Sequence, residues 1–215
     1  MPSTFAEIEI VPLSKAHPEV YFTDIASLHI RQIHHGLLPL LGQKFLSRLY
    51  YELAIAPDTK VLGALNSNEL VGFICGCADA RLSYLSVLSR AWPLFLSLTA
   101  QVILKPMLMR RMVNVLYYPF KYKSEIGHTV KVCGSVKSEI LSIAVCRDNE
   151  RQGIGEKLIK AFEAELLHWN NKGYYRVATN TLDDKSNAFY RKVGFTPCHQ
   201  IRHNDLILQV YLKEI

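Results

Sequence analysis

The clearest pattern of apolar and polar residues lies between residues 138 and 167. The run from Ile140 to Val145 is almost wholly apolar, which predicts a strand that is buried on both faces. Polar turn residues follow at 146–150, and Gly153 and Gly155 come directly after them. Apolar residues then recur four apart on one face, as in a helix. These helical positions are Ile154, Leu158, Phe162 and Leu166.

Similar patterns on either side predict the remaining elements. Alternating residues favour strands, and apolar residues three or four apart favour helices. Thr23 and Asp24 are the predicted start of the first helix. The predicted strands cover residues 5–11, 59–64, 69–77, 174–179, 196–202 and 206–212, and the predicted helices cover 24–34, 43–54, 154–170 and a short segment from about 185. Strands and helices mixed in this order predict an α/β fold with helices on both faces of a mixed sheet.

The glycine turn between the central strand and its helix predicts an anion site. The first N–H groups of a helix have no internal partners, and the helix dipole favours negative charge there. The dinucleotide pattern GxGxxG fails because Leu158 occupies its third glycine position, and the P-loop fails because Glu156 and Lys157 follow Gly155.

A second motif follows at residues 187–195, with the sequence NAFYRKVGF. Together with Arg151-Gln152-Gly153-Ile154-Gly155, it resembles the signatures of the GNAT acyltransferase superfamily. The resemblance covers residues 138–215 well and the N-terminal part loosely. It implies a GNAT-like acyl-CoA N-acyltransferase fold (α/β, or α+β by some schemes), in a single domain over residues 1–215.

The resemblance also implies a function and its residues. In that family an acetyl group passes directly from acetyl-CoA to an amine, and the turn holds the CoA pyrophosphate. The central strand splays from its neighbour and binds the pantetheine, while a tyrosine on the second motif's helix reaches the sulfur. Carried onto this sequence, the cofactor-binding residues are Ile143, Ala144, Val145, Arg151, Gln152, Gly153, Ile154, Gly155, Glu156, Asn180 and Asn187, and Tyr190 is the catalytic tyrosine.

Two points of the chemistry stay open. Glu150 occupies the position where the family motif has Arg or Gln, and a carboxylate there is unfavourable beside a pyrophosphate unless it points away. The base that removes the amine proton is Glu139 in one interpretation, since several GNAT enzymes carry a carboxylate near that point. His34, His35 or His128, or a water chain without a single base, are the alternatives.

Composition narrows the class of protein. The chain has 215 residues, 49% hydrophobic and 20% charged, with a formal charge of +6, which favours a polyanionic ligand such as CoA. No nucleic-acid motif accompanies the charge. Five cysteines without a CxxC pair predict buried free thiols and no metal site. The first ten residues have no signal-peptide pattern, so a cytoplasmic location is expected.

An insertion at about residues 81–123 has no counterpart in a plain GNAT domain. It is apolar with basic residues at intervals, and three prolines divide it into short helices. Its longest uncharged run is about fourteen residues, while a membrane span needs about twenty. Three interpretations stay open for it, namely a lid over the acceptor site, a homodimer interface and a weak membrane-surface contact.

The predicted function is therefore acetyl transfer from acetyl-CoA to a primary amine of a small molecule, for which an amino sugar is one candidate. Two alternatives remain. The first is a non-catalytic sensor that binds acyl-CoA on the same fold. The second is an acyltransferase at a membrane surface that acts on a lipid-linked substrate through the insertion.

Overall fold

The computed structural model describes residues 8–33, 36–83, 86, 89–90, 136–203 and 206–215. The strands are β1 (Glu9–Pro12), β2 (Thr59–Asn66), β3 (Glu69–Cys77), β4 (Glu139–Val145), β5 (Tyr174–Asn180), β6 (Thr196–His203) and β7 (Leu206–Glu214). The helices are α1 (Glu19–Gln32), α2 (Gln43–Ile55), α3 (Ile154–His168) and α4 (Asp184–Lys192), with short 3-10 turns at Leu38–Leu41 and Arg147–Asn149. The predicted mixed α/β architecture is confirmed.

The described strands form one seven-stranded sheet in the order β1-β2-β3-β4-β5-β7-β6. The pairing of β4 with β5 is parallel, and the other pairings are antiparallel. A parallel pair needs a crossover, and α3 supplies it between β4 and β5. The central β4 therefore lies between an antiparallel neighbour, β3, and a parallel one, β5.

Two apolar cores lie on opposite faces of this sheet. Helices α1 and α2 pack over one face, where Phe22, Leu46 and Phe73 are buried. Helices α3 and α4 contribute to the other, where Leu158 and Phe162 are buried. Side chains of β4 alternate between the two cores beyond its start, as expected for a strand buried on both faces. The apolar run that predicted this strand thus has a partner on each side.

The first helix begins earlier than predicted. Helix α1 starts at Glu19, directly after Pro18, whose backbone is extended (φ −54°, ψ 139°). Thr23 lies inside the helix, where its hydroxyl donates to the carbonyl oxygen of Glu19 at 3.4 Å, so it is not the N-cap. The prediction was wrong because the helical period starts at the buried Phe22, and a capping residue inside the period was mistaken for its start.

Two glycines of β3 permit close contacts with different neighbours. A Cβ added at Gly76 would lie 2.3 Å from the ring of Phe162 on α3, and one added at Gly72 would lie 3.2 Å from the carbonyl oxygen of Ala144. Gly76 thus makes room for an aromatic side chain, while Gly72 lets β4 approach.

The prediction about the cysteines holds only in part. Cys75 and Cys77 are buried and free, and Cys146 is half-buried and free. Cys198 is disulfide-bonded, so the free-thiol interpretation is wrong for it, and Cys133 lies outside the described residues.

The predicted insertion is described only at residues 81–83, 86 and 89–90, and residues 91–123 lie outside the description. Of the helices that the structure does describe, none is both long and apolar enough to cross a membrane.

Candidate functional site

The two central strands separate soon after they begin. Strands β4 and β5 pair only where Glu139 faces Arg176 and Ile140 faces Val177. Beyond that point β5 pairs with β7 as far as Asn180, whereas β4 continues to Val145 and, within the described residues, pairs on its β3 side alone. We call the opening between residues 141–145 of β4 and residues 178–180 of β5 the β4–β5 cleft. It matches the splay that the family resemblance implies.

A bulge marks the point of separation. In the register between β3 and β4, Gly76 faces Ile140 and Cys75 faces Ser142, so Leu141 is an extra residue on β4. A bulge bends its strand and increases the local twist, and bulges are common beside functional sites. The irregularity thus turns β4 away from β5 where the cleft opens.

The hydrogen-bond register determines which main-chain groups of β4 face the cleft. The N–H of Cys146 donates to the carbonyl oxygen of Val71 on β3 at 2.8 Å. Because hydrogen-bonded and non-bonded positions alternate along an antiparallel pair, Ala144 also bonds to β3, while Ile143 and Val145 direct their N–H and C=O groups to the other side. Two of the three predicted pantetheine positions, Ile143 and Val145, therefore direct main-chain groups to the cleft that no described residue uses. The main chain of Ala144 is already used.

The glycine turn supplies a row of unpaired donors. Arg151 (φ +61°) and Gly153 (φ +78°) both have left-handed backbone, and α3 begins at Ile154. Within the described chain, the N–H groups of residues 151–156 donate to no backbone or side-chain acceptor, and the first helical bond runs from Lys157 to Gly153. Consecutive free N–H groups at a helix N-terminus form an anion site. The residues predicted for the pyrophosphate therefore lie together.

The two glycines of this turn have different functions. Gly153 provides the left-handed conformation at the N-cap, with open space where a side chain would be. A Cβ at Gly155 would lie 3.0 Å from the ring of Phe189 on α4. Gly155 therefore allows the helices of the two motifs to pack closely against each other.

The unusual Glu150 has a cationic partner. Lys185 Nζ on α4 lies 2.6 Å from each carboxylate oxygen of Glu150. The glutamate side chain is 25% exposed and that of the lysine is 73% exposed. The negative charge at the start of the motif is thus compensated from the second motif. Lys185 was not among the predicted site residues. Its position in the first turn of the second motif's helix was the available signal.

Tyr190 lies in the core on the α3 face, in the cluster against which Ile143 and Val145 pack. Its side chain is only 6% exposed and is surrounded by the rings of Phe195 and Tyr211. The hydroxyl has no hydrogen-bond partner among the described residues. The hydroxyl oxygen is nevertheless not fully buried, so it borders accessible space. Burial, together with the charge of Asp183, raises the pKa of Tyr190, which keeps the phenol protonated.

The two predicted asparagines differ in availability. Asn187 uses both of its amide atoms within the protein, because Nδ2 donates to the carbonyl oxygens of Asn180 (2.8 Å) and Asp183 (2.7 Å) and Oδ1 accepts from the Tyr211 hydroxyl at 2.8 Å. It therefore holds the β5–α4 connection in place. Asn180 accepts at Oδ1 from the N–H of Leu182, and its Nδ2 has no partner in the part of the chain that is described. Of the two asparagines, Asn180 is therefore the one that keeps a donor unused by the described residues.

Glu139 is at the closed end of the cleft and is engaged in an ion pair. Its Oε2 accepts from Arg176 Nε at 3.0 Å and from Arg176 Nη2 at 2.7 Å. Both residues are 7% exposed. A buried carboxylate that is held by an arginine stabilises the junction of β4 and β5 and is poorly suited to accept a proton from an amine. The geometry therefore does not support Glu139 as the base.

The histidine alternatives for the base are not settled by the described residues. His34, His35 and His128 lie outside them. His29, by contrast, is buried and bonds to Tyr50, which in turn bonds to Ser142 on β4. No sequence pattern indicated this contact, since it joins residues 92 positions apart. Within the described residues, no group of three His, Cys, Asp or Glu side chains could hold a metal ion.

Comparison with known proteins identifies the same signatures. Residues 120–197 match the model of the acetyltransferase (GNAT) domain. No protein with a curated description matches the sequence. Among solved structures, the ribosomal-protein-S18-alanine N-acetyltransferase from Escherichia coli is similar, with a TM-score of 0.56 and 10% identity over 97% of this chain and 94% of that one.

Two further structures have the same fold. An acetyltransferase from Thermus thermophilus has a TM-score of 0.52 and 12% identity, with 98% of this chain and 99% of that one covered. A GNAT family acetyltransferase from Elizabethkingia anophelis, solved with acetyl-CoA bound, has a TM-score of 0.50 and 13% identity, with 97% and 98% covered. At these identities the structural matches show the fold alone. The family match covers residues 120–197, which include both sequence motifs, so the predicted resemblance to GNAT acetyltransferases is confirmed for that part of the chain.

Proposed function

We propose that the protein transfers the acetyl group of acetyl-CoA directly to a primary amine of a small molecule. The observation that carries this proposal is the unpaired edge of β4, which leads away from the free N–H groups of residues 151–156. A row of donors for a diphosphate followed by an open strand edge fits a ligand with a phosphate end and an amide-containing arm. An amino sugar is one candidate acceptor.

The chain has a chemically matched partner for each part of the donor. The N–H groups of residues 151–156 suit the pyrophosphate. The unpaired main-chain groups of Ile143 and Val145 suit the two amides of pantetheine, and Asn180 Nδ2 can add a further donor. Lys185 neutralises Glu150, so the carboxylate does not repel the phosphates at full charge.

The proposed reaction forms a C–N bond between the amine and the carbonyl carbon of the thioester, and it breaks the C–S bond. Negative charge develops on the carbonyl oxygen, and an N–H of the free β4 edge can stabilise it. The thiolate leaves and accepts a hydrogen bond from the Tyr190 hydroxyl. Because its pKa is raised, Tyr190 is a weak acid, so stabilisation of the thiolate is its main contribution and the amine proton ultimately neutralises the sulfur.

The sensor alternative loses its main support. An uncompensated carboxylate in place of the motif's Arg or Gln would favour a protein without catalysis, and the ion pair of Glu150 with Lys185 compensates that charge. The membrane-surface alternative depends on the insertion at about residues 81–123, most of which lies outside the described residues. Transfer to a small-molecule amine is therefore the function that we retain.

Calorimetry with acetyl-CoA, followed by thiol-release assays, tests the proposal. The assays use an amine panel that contains glucosamine, glycinamide and spermidine. We expect binding in the micromolar range and thiol release with at least one class of amine. Absence of binding at millimolar acetyl-CoA would end the proposal. Tight binding without turnover on any amine would instead restore the sensor alternative.

A further inference from the structure

A chain of three polar side chains crosses the core on the α1/α2 face of the sheet. Nδ1 of His29 on α1 lies 2.6 Å from the hydroxyl of Tyr50 on α2, and this hydroxyl lies 2.9 Å from Oγ of Ser142 on β4. His29 is 2% exposed and Tyr50 is 1% exposed. The chain thus runs from a buried helix face to the strand that borders the β4–β5 cleft.

This row of hydrogen-bonded side chains lowers the stability of the fold relative to an apolar core. Buried polar groups must be hydrogen-bonded to avoid a desolvation penalty. His29 Nε2 is the one fully buried side-chain nitrogen or oxygen in the described part of the chain without a partner. Phenylalanine and leucine would satisfy the packing at these positions without that penalty. A costly buried network is therefore a candidate for a function.

The exposed end of the chain lies at the cleft. Ser142 follows the extra residue Leu141 and precedes Ile143, whose main-chain N–H faces the cleft. Ala144 is the next residue of β4 that hydrogen-bonds to β3, and its side chain belongs to the core on the α1/α2 face. The glycine turn and Tyr190 belong to the α3 face. A donor that enters along the α3 face would therefore present its acyl group to a second substrate that comes from the face where Ser142 lies.

The hydroxyl of Ser142 can still bind a substrate whichever way the chain is protonated. If His29 carries its proton on Nε2, Tyr50 donates to Nδ1 and Ser142 donates to Tyr50, which leaves two lone pairs on Oγ. If the proton is on Nδ1, Tyr50 donates to Ser142, which leaves one lone pair and the O–H. In both cases Oγ can accept an N–H from the cleft, and among the described residues it bonds to Tyr50 alone.

We propose that Ser142 Oγ accepts a hydrogen bond from the acceptor amine, and that Tyr50 and His29 are positioning residues that hold the hydroxyl in this orientation. The proposal rests on the proposed acetyl transfer and names the protein contact of its nucleophile. This contact directs the nitrogen lone pair at the carbonyl carbon of the thioester. Burial lowers the pKa of His29 to about 4, so the three hydrogen-bonded side chains are uncharged at neutral pH and suit an unprotonated amine.

Steady-state kinetics of four variants test this proposal, with glycinamide and glucosamine as probe amines and acetyl-CoA as donor. Ser142→Ala removes the proposed contact, and Ser142→Thr keeps the hydroxyl. Tyr50→Phe removes the orienting group. Tyr175→Phe is the matched control, because Tyr175 is also fully buried and its hydroxyl bonds to Glu163 at 2.6 Å, on the α3 face. Acetyl-CoA affinity and the melting temperature are measured for each variant.

We expect Ser142→Ala to lower kcat/KM for the amine about tenfold, as for the loss of one hydrogen bond to substrate. Acetyl-CoA affinity should stay within twofold, and Ser142→Thr should restore most of the rate. Tyr50→Phe should lower kcat about fivefold, whereas Tyr175→Phe should lower only the melting temperature.

Three results would overturn the proposal. Equal rates for Ser142→Ala and the unchanged protein would show that Ser142 does not contact the amine. Equal losses of kcat for Tyr50→Phe and Tyr175→Phe would show that the hydrogen-bonded side chains have only a structural role. Acetyl-CoA binding without transfer to any amine would remove the nucleophile contact while leaving the donor site intact. Failure to bind acetyl-CoA would instead refute the proposed function itself. If Tyr50→Phe does not fold, the two Ser142 variants decide the outcome.

Discussion

The two ends of β4 differ in how they are paired, although the strand is only seven residues long. At its start, Glu139 and Ile140 pair with β5, and a buried ion pair with Arg176 joins the strands. At its end, Ile143 and Val145 have main-chain groups that face the β5 side, where no described strand pairs with them. The cleft is therefore built by an interruption of pairing, which the bulge at Leu141 produces. The closed end must be strong for the open end to stay in place.

The largest effect is expected from the closed end. Arg176→Met leaves Glu139 buried without its partner, and breaking one side of a buried ion pair costs about 3–5 kcal/mol. Chemical denaturation should detect this loss. The double variant Glu139→Gln/Arg176→Met should recover part of it, because no unpaired charge remains. A single variant as stable as the unchanged protein would show that the pair does not hold the junction.

A second prediction concerns pH and His29. Its pKa is lowered to about 4 in the folded protein, while the ordinary value is about 6.5. The unfolded chain thus takes up a proton first, so the stability from neutral His29 is complete above pH 6.5 and is lost as the pH falls toward 4. The loss amounts to about 3 kcal/mol. Denaturation curves between pH 7 and 4 should lose this slope in His29→Gln, and an unchanged slope would assign it to other groups.

The third prediction concerns the open end. Tyr190→Phe should lower kcat about 10- to 100-fold with little change in acetyl-CoA affinity, since the hydroxyl acts on the leaving thiolate. Thiol-release assays measure kcat, and calorimetry measures the affinity for acetyl-CoA. Tyr174→Phe is the control, because Tyr174 is 44% exposed and lies at the opposite end of β5. Equal rates for Tyr190→Phe and Tyr174→Phe would remove Tyr190 from the mechanism.

The smallest effect is expected at the Glu150–Lys185 pair. Lys185→Ala uncovers a carboxylate near the proposed pyrophosphate and should weaken acetyl-CoA binding about threefold to tenfold at low salt. Glu150→Gln in the same chain should restore the affinity. If Lys185→Ala has the same effect in the Glu150→Gln background, the lysine acts on the phosphates directly. Calorimetry at two salt concentrations distinguishes the two cases.

The sequence predicted the elements and the turn because their signals are local. The apolar run of β4, the glycines at 153 and 155 and the period of α3 lie next to one another in the chain. In the second motif, Gly194 has the positive φ that glycine commonly supplies after a helix.

The sequence could not predict how side chains are used after folding. Glu139 was assigned as a base, but its partner Arg176 lies on another strand. Asn187 was assigned to CoA, but three protein groups use its amide atoms. The bond from Tyr50 to Ser142 depends on how α2 packs on β4, and no spacing in the sequence encodes it. Such contacts follow from tertiary packing, which periodicity does not report.

Amide hydrogen exchange with and without CoA, followed by NMR, tests the central claim most directly. In the free protein the amides of Ile143, Val145 and residues 151–156 should exchange fast, while that of Ala144 should be protected by its bond to β3. CoA should protect the fast amides and leave Ala144 unchanged. If CoA protects none of them, or if Ile143 and Val145 are already as protected as Ala144, the open edge of β4 is not the donor site.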